Sequence, residues 1–112
     1  MERTNLGEFE ELVLLLVAVL DGNAYGISVM EEMKSQTGRL VNISAVHAAL
    51  RRLEAKGFVK SSWSEATKAR GGRRKRLFQI TQKGVNVLQK VKEMRNNLWG
   101  QIPNLGTNLS FS

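Results

Sequence analysis

The chain has 112 residues, 42% of them hydrophobic and 24% charged, which is the size and balance of one ordinary globular domain rather than a disordered or fibrous chain. It carries a net charge of +7, one histidine and no cysteine. Disulfides and thiolate metal sites are therefore excluded, and a strongly basic balance points to a polyanionic partner, nucleic acid before an anionic membrane surface.

The charge is unevenly placed. Residues 1–33 hold one base against seven acids, a balance of −6, whereas residues 34–95 hold sixteen bases against three acids, a balance of +13. The longest apolar run, Leu12 to Leu20, is nine residues, well short of the roughly 20 that span a bilayer. No membrane partner is expected. Glu2 and Arg3, with Glu8, Glu10 and Glu11 before that run, do not form the basic lead-in of a secretory signal, so the expected location is cytoplasmic.

In chain order, Phe9, Leu12, Val13, Leu16, Val17 and Leu20 recur at i, i+3, i+4 spacing and predict a first helix from Gly7 to Asp21. Leu14, Leu15, Ala18 and Val19 make its other side apolar as well, a second face that one small domain has trouble covering. A second subunit is the expected cover. The next helix is expected over Gly26–Thr37, with Ile27, Met30 and Met33 inward and Gly38 as its stop. Asn42 is a good N-cap for a third, reaching about Lys56, whose buried stripe is Ile43, Val46, Leu50 and Leu53.

Phe58–Ser64 and Lys75–Thr81 are rich in β-branched and aromatic residues and enclose Gly71-Gly72 among bases, a pattern that predicts a β-hairpin with a long basic tip. Trp63 is expected in hairpin packing. Thr81 then caps a fourth helix, to about Trp99, with a seam of Val87, Val91, Met94 and Leu98 beside a second stripe of Val85, Leu88 and Trp99. After Gly100 the chain turns polar, with Pro103 and several Asn and Ser. The expected organisation is a winged-helix unit over 1–80, a dimerisation helix over 81–99 and a flexible tail over 100–112.

Three helices and a hairpin in this order form the winged variant of the helix-turn-helix, mainly α with a β-hairpin, in which one helix enters the major groove and the hairpin reaches nearby phosphates. If the third helix buries its stripe, Ser44, His47, Ala48 and Arg51 face outward together. Ser44 and the helix N-terminus suit a phosphate, Arg51 a phosphate or guanine, His47 a base edge, and Ala48 a thymine methyl. The hairpin tip adds Lys68, Arg70, Arg73, Arg74, Lys75 and Arg76, six bases in nine residues. Arg52 and Glu54 are expected in local ion pairs. Without cysteine, paired carboxylates or a phosphate-cradling loop, the chain lacks the parts of an enzyme, and neither metal nor cofactor is expected.

Ala24-Tyr25-Gly26, the segment 42–53 with Arg52-Leu53-Glu54, Gly57-Phe58, and the basic wing ending in Phe78-Gln79-Ile80-Thr81-Gln82-Lys83-Gly84 resemble the PadR family of bacterial transcriptional regulators over about residues 6–90. The resemblance implies a DNA-binding homodimer in which the C-terminal helix packs against the first helix. It also adds Tyr25 and Asn42 to the expected DNA contacts, and the short single C-terminal helix resembles a branch some of whose members bind flat aromatic compounds at the dimer interface and lose DNA affinity as a result. Leu14, Leu15, Val19, Val87, Val91, Met94 and Leu98 are the expected dimer contacts, and Trp99 the expected contact of an aromatic effector. His47 departs from the family, which usually has tyrosine there. The expected function is a specific DNA-binding regulator, a repressor; the competing reading is a winged-helix module that binds RNA or another protein without specific DNA readout.

Overall fold

A computed structural model describes residues 6–65 and 74–103. Its elements are α1 (Glu8–Leu20), α2 (Gly26–Thr37), α3 (Ile43–Ala55), β1 (Val59–Trp63), β2 (Arg76–Ile80) and α4 (Gln82–Gly100). All the expected elements form, with boundaries within a residue or two.

α1 is the centre of the fold because it touches α2, α3, β2 and α4. That position explains why Val13, Leu14, Leu16 and Val17 are all buried: neighbours surround more of the helix than one amphipathic stripe requires. Leu14, expected at a dimer interface, is fully buried in the protomer's own core. Val87 and Val91 are corrected in the same way, since the first half of α4 lies on α1 and β2 and buries them within the protomer. The second half of α4 runs past the core and leaves Met94, Leu98 and Trp99 exposed. The molecule is accordingly elongated, 59 × 33 × 21 Å.

α2 also shows a shifted stripe. Val29 and Met33 are fully buried and Met30 partly so, whereas Ile27 is 49% exposed. At about 100° per residue Ile27 lies on nearly the opposite side of the helix from Val29. In α3 the inward face is Val46, Ala49, Leu50 and Leu53, with Ile43 only half-buried at the helix start.

The hairpin is a two-stranded antiparallel sheet in which Val59 pairs Ile80, Ser61 pairs Phe78 and Trp63 pairs Arg76. A bridge between Ala24 and Phe78, which donates its N–H to the Ala24 carbonyl at 2.8 Å, fastens the other edge of β2 to the α1–α2 connection. Gly57, at φ +81°, turns the chain from α3 into β1 in a conformation that a side chain would strain. Thr81 caps α4 by accepting from the Gly84 N–H, and its hydroxyl donates to the Gly57 carbonyl, so one residue ties helix, hairpin and turn. Among the described residues no helix is long and apolar enough to cross a membrane.

Candidate nucleic-acid interface

The outward face of α3 is set by its cap and its buried stripe. Asn42 accepts a hydrogen bond from the Ala45 N–H at 2.8 Å, satisfying one of the open amides of the first turn and starting the helix where it does. That side chain is thus committed to the cap. With Val46, Ala49, Leu50 and Leu53 inward, Ser44, His47 and Arg51 are exposed and Ala48 half-buried, all on one face. Among the described residues none of Ser44, His47 and Arg51 is engaged in a side-chain hydrogen bond or ion pair, so this face keeps its donors free.

The start of α2 lies beside this face. Ser28 accepts from the Tyr25 N–H at 2.9 Å and donates to the Asn23 carbonyl at 2.8 Å, closing the first turn. A serine three residues into a helix carries that signal in the sequence. Tyr25 is half-buried, and the Lys75 ammonium sits 4.0 Å from its ring centroid, a cation–π contact between wing and α2. Gly26 is buried beneath the His47 ring.

The six expected wing bases divide. Lys68, Arg70 and Arg73 lie outside the described residues. Arg74 is exposed. Lys75 covers Tyr25, and its N–H donates to Ser64 Oγ at 2.8 Å, extending the hairpin beyond its ladder. Arg76 is exposed but engaged: it donates to Glu54 at 3.2 Å and to Ser61 Oγ at 3.1 Å and lies over the Trp63 ring at 5.7 Å. Ser61 in turn donates to Glu54. Arg76 is therefore a wing anchor in this conformation. Charge alone does not distinguish it from its neighbours in the sequence, because its partner Glu54 lies 22 residues away.

The three acids of α1 are all engaged in ion pairs within the protomer. Glu8 pairs with Arg39 at 2.8 Å, Glu11 with Arg95 at 3.0 Å, and Glu10 with both Arg52 at 3.0 Å and Lys56 at 2.6 Å. Burial pushes the Glu10 carboxyl upward, but hydrogen bonds from Lys56 and Arg52 and their charges outweigh it and hold the group below its ordinary value. These pairs join α1 to the α2–α3 turn, to α3 and to α4.

On another side of the molecule a groove of about 500 Å³ runs between α1 and α4. Leu15, Ala18, Val85 and Leu88 give it an apolar wall, Lys92 borders it, and Trp99 stands at its rim with 59% of its surface exposed. Among the described residues no cluster of histidines and carboxylates could hold a metal ion.

A three-helix unit with a hairpin wing, whose third helix turns Ser44, His47 and Arg51 outward, defines a protein of the winged-helix class. The family model for the transcriptional regulator PadR-like family matches residues 14–90, and the chain belongs to that family. Its members are transcriptional regulators and not enzymes.

Solved structures share the fold. A PadR family regulator from Clostridium difficile is 21% identical with a TM-score of 0.71, over 84% of this chain and 93% of that one. A PadR-like transcription factor from Bacteroides fragilis is also 21% identical, with a TM-score of 0.70 over 80% and 82% of the two chains. Bacillus subtilis PadR, solved in complex with operator DNA, is 16% identical with a TM-score of 0.63, over 74% of this chain and 45% of its own. No curated protein matches the sequence.

Proposed function

We propose that this PadR-like regulator is a sequence-specific DNA-binding repressor that acts as a homodimer and is released by a small aromatic ligand. The observation that carries the DNA reading is the free Ser44, His47 and Arg51 face of α3 beside an exposed Arg74, while three of the acids of α1 are paired internally. Such a face suits a major groove, with the basic wing on the flanking phosphates. The solved complex of Bacillus subtilis PadR with operator DNA supports the reading by likeness of fold.

What remains exposed supports the dimer. Leu15 and Val19 on α1, and Met94, Leu98 and Trp99 on α4, are 42 to 59% exposed, more large apolar surface than a monomer normally leaves in water. A two-fold pair would bring two copies of α3 to one face of the duplex about 34 Å apart. The apolar groove and Trp99 at its rim suit a flat aromatic guest, and a ligand there would bias the separation of the two reading helices. Coupling of about 1 to 3 kcal/mol changes affinity about 5- to 150-fold.

Selection of duplexes from a random pool at near-physiological salt tests the proposal, with the Arg51→Ala, Arg73→Ala, Arg74→Ala variant alongside. A two-fold symmetric site with half-sites about one turn apart, lost in the variant, is the expected result. For about six phosphate contacts the log–log salt slope is near −5. Salt-sensitive binding without enrichment of any site sinks the specific regulator and leaves a basic module whose partner is RNA or protein. An aromatic ligand that quenches tryptophan fluorescence yet leaves DNA affinity unchanged sinks the release step.

A further inference from the structure

We infer that Gly26 is a specificity-determining position: the missing side chain at the start of α2 is the seat on which the His47 ring lies, and the seat sets how that ring faces a base. A Cβ at residue 26 would stand 2.5 Å from His47 Cε1, 2.9 Å from Nε2 and 3.2 Å from Nδ1, so the ring occupies the space a side chain would take. The Cε1–Nε2 side lies closest to the glycine.

Neither backbone has room to yield. The first turn of α2 is held by the two Ser28 hydrogen bonds and by Lys75 against Tyr25. The α3 backbone is held by Val46, Ala49 and Leu50, all fully buried on either side of His47 in the helix. Any group added at residue 26 therefore displaces the imidazole, the one flexible part. Alanine is the better helix former, so Gly26→Ala keeps the fold and changes the ring's pose. Gly26 itself needs no contact with DNA. It acts through His47, as a positioning residue, and the inference rests on the proposal that α3 reads DNA.

His47 is the single histidine, so its ring signals in a proton spectrum of the free protein are unique, and a cross-relaxation peak to the Gly26 α-protons reads the seat without DNA. That peak is expected, and its absence overturns the inference. Gly26→Ala, His47→Ala and the double variant are then compared for unfolding midpoint and for affinity to the selected site and to sites substituted at each base. Expected are a near-native midpoint for Gly26→Ala, a discrimination loss of about tenfold confined to one base position per half-site, and no further loss when Gly26→Ala is added to His47→Ala. A Gly26→Ala protein with native base preference overturns the inference, as does an equal further loss in the His47→Ala background, which would mark a structural role. If the native chain selects no DNA site while the cross-peak is present, the DNA reading fails first and the specificity role with it, although the seat stands.

Discussion

Glu10 shows how one side chain serves both charge and architecture. Its side chain is 12% exposed, and two cations from α3 close on it. Glu10→Gln keeps one acceptor oxygen but removes the charge that faces Arg52 and Lys56, and is expected to cost about 1 to 3 kcal/mol at neutral pH, measured by urea unfolding. Because the folded carboxyl titrates below its ordinary value, its contribution is present above the ordinary carboxylate range and is lost as pH falls through the lowered value. The difference between the native chain and Glu10→Gln should shrink toward zero on acidification; a difference that stays constant down to pH 3 would assign it to packing. The sequence predicts ion pairs for Arg52 and Glu54, and both form, but their partners on α1 and β2 are tertiary facts.

Among the elements, a polar cluster of Glu54, Ser61 and Arg76 joins α3 to the base of the wing. Glu54 lies seven residues after His47, on the same side of α3, and holds Arg76 and Ser61. Glu54→Ala removes a negative charge from the region proposed to meet DNA, so simple electrostatics calls for tighter binding. If the cluster aims the wing, the same variant binds more weakly, by about fivefold for one lost hydrogen-bonded anchor. Affinity at two salt concentrations distinguishes the two. The junction of α4 with the hairpin is a second element contact that tolerates no side chain: a Cβ at Gly84 would run into the Phe58 carbonyl oxygen and the Ile80 side chain. Gly84→Ala should destabilise by about 1 to 3 kcal/mol in thermal or urea unfolding, because the obstacle includes backbone. An unchanged midpoint would mean that the first turn of α4 shifts freely. This glycine is visible in the sequence only within the stretch Thr81 to Gly84; what it approaches is not.

For the whole molecule, the protruding half of α4 and the exposed side of α1 carry the apolar surface on which the proposed dimer rests. Leu98, 58% exposed, should tolerate glutamate within the protomer while the change disrupts a dimer seam. Leu98→Glu is expected to keep native helicity but sediment near 12.5 kDa rather than twice that mass. It should also lose most of its site affinity, since one half-site then binds without the other. A dimer that persists in this variant would move the interface off α4.

The sequence by itself determined the element order, the caps Asn42 and Thr81, the winged-helix class and the outward face of α3, because helical and strand periodicity are local properties of spacing. It also marked α1 and α4 as helices with more apolar surface than one stripe needs. Only the tertiary structure decided which of those residues the protomer keeps, burying Leu14, Val87 and Val91 and leaving Leu15, Val19, Met94 and Leu98 exposed. The same holds for the wing bases, where Lys75 and Arg76 are held by Tyr25 and Glu54 while Arg74 is exposed. Burial and pairing depend on neighbours distant in the chain, and a central helix touched by four elements draws inward residues that its own period would place outside.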